Sequence, residues 1–101
     1  MLICTTWKNR AISPEQTQRM MATWAQLEAE ADPSTRLCWF QYGDGSGGFQ
    51  VERVADDAEA MARGLEASLA LGEFLELESR PVLDLESAMP AIVAAVARIS
   101  G

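Results

Sequence analysis

Two strand-like runs, RLCWFQY at 36–42 and GFQVERV at 48–54, are separated by a glycine-rich stretch far too short for a crossover. They can only be joined as an antiparallel hairpin, because parallel neighbours need a connection of about a dozen residues or more. Glycines at 43, 45, 47 and 48 suit such a turn, since glycine accepts positive φ without steric cost. The same stretch fails as a ligand loop. A phosphate loop carries a Lys as it opens a helix, and here no Lys follows and the next element is a strand. Asp44, Ser46 and Gly48 match a calcium loop only at its first ligand, and the closing Glu is missing.

Outward from the hairpin, each side reads as a helix and then a strand. MLICTTW is β-branched and apolar, a strand that ends at the polar break KNRAI. Ser13, Pro14 and Gln16 form a capping box ahead of a helix carrying Met20, Met21, Trp24, Leu27 and Ala31 at helical spacing. Asp32-Pro33-Ser34 ends it. After the hairpin, Asp56 or Asp57 opens a second helix with the stripe Ala58, Met61, Leu65 and Leu69, and Gly72 is placed to stop it. EFLELESRPVL alternates Leu75 and Leu77 with Glu76 and Glu78, a fourth strand. Asp84 begins a last helical segment, and Pro90 sets the start of its main helix at about 90–100, because proline breaks a helix interior.

The chain 1–101 therefore reads as a single α+β domain in the order β-α-β-β-α-β, with an extra C-terminal helix. Right-handed crossovers turn that order into a ferredoxin-like antiparallel sheet with strand order 4-1-3-2. Pro81 then lies in an edge strand, where its missing N–H is tolerated. Cys4 and Cys38 fall on strands separated by a third. Two strand spacings are about 9.5 Å, beyond the disulfide limit, so both thiols are expected free.

Composition narrows the function. The formal charge is −7, and nearly all of it belongs to the second half: residues 51–101 carry four Lys or Arg against ten Asp or Glu. With no basic face, neither nucleic acid nor an anionic membrane is an expected partner. No histidine is present, which removes the usual zinc and haem ligand and the usual neutral-pH proton carrier. No metal or other cofactor is called for. The N-terminus lacks a signal-peptide pattern and AIVAAVA is too short to span a bilayer, so the cytoplasm is the expected location.

A one-sided sheet should alternate apolar and polar residues in every strand. LICTTW and LCWF instead place large apolar groups on both faces, so something must cover the second face. The expected cover is a second copy, two sheets packing face to face as a dimeric α/β barrel; the competing cover is the chain's own C-terminal helix. If Phe49 and Val51 point to the helices, Gln50, Glu52 and Val54 point to the open face, and Leu75 and Leu77 send Glu76, Glu78 and Arg80 there. The first strand offers either Ile3, Thr5 and Trp7 or Leu2, Cys4 and Thr6, and the second either Trp39 and Gln41 or Phe40 and Tyr42. Trp7, Trp39, Tyr42, Glu52, Glu78 and Arg80 are thus the candidate lining of a small-molecule cavity. Glu52 with Glu78 is its candidate acid/base pair.

DGSGGF, VERVADD and RPVLD resemble a small, mostly bacterial family of domains of unknown function within the dimeric α/β-barrel group. The likeness rests on Asp44, Gly45, Ser46, Gly47, Gly48, Phe49, Glu52, Asp56, Pro81, Val82 and Leu83, and it leaves out the C-terminal helix. It implies the fold and the homodimer but transfers no catalytic residue. The leading expectation is a homodimeric protein that is non-catalytic or binds a small molecule. A cofactor-independent monooxygenase or isomerase acting on a small aromatic substrate is the alternative. A protein-interaction module, docking through the acidic second helix and the last helix, is the third.

Overall fold

The computed structural model describes all residues, 1–101. Its elements are β1 (Leu2–Asn9), α1 (Pro14–Glu30), a 3-10 turn (Pro33–Thr35), β2 (Arg36–Gln41), β3 (Gly47–Arg53), α2 (Asp57–Leu71), β4 (Leu75–Val82) and α3 (Leu85–Ser100). The capping signals act locally. Ser13 accepts from the Gln16 N–H while the Gln16 side chain accepts from the Ser13 N–H, which starts α1. Asp56 caps α2 through the Glu59 N–H, and Asp84 caps α3 through the Ser87 N–H.

Four antiparallel strands form one sheet in the order β2-β3-β1-β4, which counted from the opposite edge is 4, 1, 3, 2. Pro81 sits in β4, whose outer side has no neighbouring strand. The hairpin between β2 and β3 closes with Tyr42 donating to the Gly47 carbonyl at 2.8 Å, and Gly45 takes φ 76°. Asn9 fastens this turn to the end of β1, donating from its side chain to the Gly45 carbonyl and from its backbone to that of Ser46. Cys4 and Cys38 are both free and flank Val51 on either side in the same cross-strand row.

The core is one small cluster. Trp7, Leu71, Phe74 and Leu75 are buried together, with Ile12, Met20, Trp24 and Leu27 packed around them. Burial of each such side chain contributes about 1.5–3 kcal/mol. Gly48 makes room for it: a Cβ there would lie 2.4 Å from the Trp7 indole and 2.3 Å from the Phe40 carbonyl oxygen.

The C-terminal helix begins five residues earlier than Pro90 suggested. Asp84 and Ser87 start it at Leu85, and Pro90 is carried inside it. Proline in a helix interior costs about 3 kcal/mol, and this helix repays none of it through burial, since no residue of α3 is buried. Ile99 is 85% exposed, and no strand or helix packs substantially against α3. It therefore does not cover the open face of its own sheet. The molecule is accordingly long, 59 × 28 × 20 Å, with a radius of gyration of 16.8 Å, against about 13 Å for a compact chain of this length. Its accessible surface of 7234 Å2 exceeds that of a typical monomer of its mass by about 1,600 Å2. No helix is long and apolar enough to cross a membrane.

Candidate functional site

The register fixes which side chains face the helices. Trp7 lies opposite Gly48 on β3 and Leu77 on β4, and Thr5 lies opposite Gln50 and Ser79. Because side chains alternate, the helix side of the sheet carries Ile3, Thr5, Trp7, Trp39, Gln50, Glu52, Leu75 and Leu77. Contacts agree with this assignment. Trp24 of α1 meets Trp7 edge-on at 5.6 Å and stacks on Trp39 at 6.0 Å, and Arg63 of α2 pairs with Glu52 at 2.8 Å.

The other face carries Cys4, Thr6, Cys38, Phe40, Phe49, Val51, Glu78 and Arg80. Phe40 and Tyr42 pack against Phe49 there, at 5.6 and 6.3 Å between ring centres, and both remain largely exposed. Phe49 and Val51 thus point away from the helices and Gln50 and Glu52 point towards them, the reverse of the assignment by hydrophobicity. The candidate residues divide accordingly. Trp7, Trp39 and Glu52 stand on the helix side, while Tyr42, Glu78 and Arg80 stand on the open side. Glu52 and Glu78 occupy opposite faces of the sheet and cannot share a proton. Glu78 pairs instead with its neighbour Arg80 in the open.

Between sheet and helices, beyond the core cluster, a cleft of 320 Å3 remains. This is at the lower end of the range for small-molecule sites, about 300–1,000 Å3. Its walls are aromatic and aliphatic: Trp7, Trp24, Leu27, Leu71, Leu75 and Leu77. Thr5, Gln50 and Glu52 form a polar floor. Thr5 is already hydrogen-bonded to the Ser79 hydroxyl at 2.9 Å, whereas the partly buried Gln50 side chain lines the cleft without a side-chain hydrogen bond to another protein group. Two ion pairs bracket the opening, Glu52 with Arg63 and Glu28 with Arg36. The Arg36 guanidinium also lies 4.1 Å over the Trp39 ring. Glu30 and Glu66 complete the rim and leave two carboxylates in excess of the two guanidiniums. A second cleft, of 570 Å3, shares Trp7 and Trp24 and continues along Met20, Met21 and Trp39.

The two floor and wall carboxylates, Glu28 and Glu52, are each engaged by an arginine, and the aromatic rings offer flat surfaces beside the Gln50 amide. No three metal-ligating side chains converge anywhere in the chain. Four acids are held below the usual carboxylate range, and all lie outside the cleft. Hydrogen bonds from Ser34, Ser46 and Ser87 do this for Asp32, Asp44 and Asp84, and bonds from Arg19 and Gln16 do it for Glu73.

Sequence reasoning missed Trp24, Arg36 and Arg63 as parts of a site, and it named Thr5 and Gln50 only for the open face. One signal placed Gln50 with the helices instead. A strand glycine marks close approach by a neighbour, and Gly48 facing Trp7 sets the parity that sends Gln50 and Glu52 inward. Compared with models of known families and with curated proteins, the chain matches none.

Proposed function

We propose that the chain is a ferredoxin-like domain that works as a homodimer and binds a small molecule in the cleft between its sheet and helices. The observation that carries this reading is the mixed polarity of both faces of the sheet. Beside its apolar core, the face covered by helices holds Thr5, Gln50 and Glu52, and beside Thr6, Glu78 and Arg80 the uncovered face holds Phe40, Phe49, Val51 and two cysteines. Apolar groups on an uncovered face call for a cover, and a second sheet packed at about 10 Å supplies one, as in a dimeric α/β barrel. Polar groups in an aromatic-walled cleft suit a ligand that uses them. Surplus carboxylates at the rim disfavour an anion. The ligand class that fits is a small planar molecule, uncharged or cationic, stacked against Trp24 and hydrogen-bonded by the Gln50 amide. The likeness to the family of unknown function belongs to the same reading, as does a cytoplasmic setting, which two free thiols suit.

Native mass spectrometry of the protein, purified without chelators or added ligands, tests both halves. A dimer with one small adduct per chain, lost in Gln50→Leu, is the expected result. An empty dimer that planar heterocycles do not stabilise against heat rejects the ligand site. A monomer at all concentrations rejects the dimer.

A further inference from the structure

The helix α3 is the least explained element of the molecule. A 16-residue helix is marginal in water by itself, and Pro90 withholds one of its hydrogen bonds. Yet Leu85, Met89, Ile92, Val93, Val96 and Ile99 are all exposed. A helix so apolar and so bare is stable only when covered. Its own chain does not cover it: α3 leaves β4 after two residues, and the Asp84 cap holds its first turn through two bonds to Ser87.

A second surface on the same chain is bare in a matching way. The inner side of α2 lines the cleft through Arg63, Ala67 and Leu71. Its outer side carries Met61, Leu65 and Leu69, respectively 75%, 62% and 78% exposed. These three are spaced by four residues, as are Leu85, Met89 and Val93 of α3. Rows of that spacing interdigitate when two helices cross at about −50°. The two helices, of 15 and 16 residues, are nearly equal in length.

We propose that α3 is an exchanged arm, whose row Leu85, Met89 and Val93 packs on the Met61, Leu65 and Leu69 row of α2 in a second copy of this chain. The inference rests on the homodimer reading above and names a further contact within it. A second copy is the occupant because the two rows match each other and occur on one chain that keeps them apart. The area agrees. An excess of about 1,600 Å2 per chain is roughly twice the share of one partner in a standard interface and falls in the range of obligate dimers.

The test uses the full chain with Cys4→Ser and Cys38→Ser, carrying Leu65→Cys and Val93→Cys together under mild oxidation. The expected product is a disulfide-linked dimer on non-reducing gels, formed by the double variant and by neither single one. A non-covalent dimer that does not cross-link overturns the arm and leaves the face-to-face sheets standing. A covalent dimer from Val93→Cys alone means that α3 pairs with α3, and a disulfide within one chain means that α3 folds back; either overturns it. A protein that is monomeric throughout overturns both readings. Amide exchange on the unaltered chain covers the case of a misfolded variant. The amides of α3 should exchange slowly in the dimer and lose that protection on dilution, and free-peptide exchange rates in the dimer would sink the proposal.

Discussion

The two faces of the sheet differ in what they leave open. Beneath α1 and α2, beside the apolar core around Trp7 and Leu75, stand Thr5, Gln50, Glu52 and two ion pairs. On the face left to solvent stand Phe40 and Tyr42, each packed against Phe49. A polar group in a partly covered cleft can meet water or a ligand, and an exposed apolar cluster is a candidate interaction surface. The covered face keeps an open cleft, and the bare face keeps an exposed aromatic cluster.

The comparison breaks most completely if the parity of the sheet is disturbed. Gly48→Val drives a side chain into the Trp7 indole and the Phe40 carbonyl, and a loss of about 3 kcal/mol is expected. Urea titration followed by tryptophan fluorescence measures it, and a midpoint within error of the parent would refute the assignment of faces. The open face is probed next by Phe49→Asp. Removing a central aromatic anchor should weaken dimerisation by about 2 kcal/mol, roughly 30-fold, with the helix content unchanged. Light scattering across a dilution series reads it.

On the helix side the effects on stability are smaller. Glu52→Gln takes the counter-charge from Arg63 in a partly buried pair, for an expected loss of about 1 kcal/mol. Gln50→Leu replaces a partly buried amide that lines the cleft and should change stability by less than about 0.5 kcal/mol while ending ligand binding; marked destabilisation would show the amide to be structural.

The smallest effect is that of acid. Asp32, Asp44, Glu73 and Asp84 bind protons less readily in the folded chain than in the unfolded one. Their stabilisation is complete above the ordinary carboxylate values, near 3.8 for Asp and 4.5 for Glu, and is lost as pH falls through the depressed ones. Melting temperature should be flat near neutrality and decline gently below about pH 4. All four groups are on the surface, so a steep decline would point to other groups.

Much of the fold was legible because its signals are local. The glycines between β2 and β3 force the turn, the Ser13 and Gln16 box starts α1, and Asp56 and Asp84 start α2 and α3 within a single turn of chain. Pro90 misled because a cap and a proline compete. At the sixth residue of the helix the proline withholds one hydrogen bond, and Asp84 with Ser87 had already nucleated the turns before it. The site was hardly legible. Trp7, Trp39 and Glu52 were named together with Tyr42, Glu78 and Arg80, and only the register shows that these are two groups on two faces.

The sequence by itself determined the elements, their order and the free state of both cysteines, since each follows from backbone preferences or strand spacing. Only the tertiary structure decided which face of the sheet the helices cover. Hydrophobicity sends Phe49 inward, but the Trp7 indole requires the space over Gly48, and a strand that turns its glycine inward must turn Phe49 and Val51 outward.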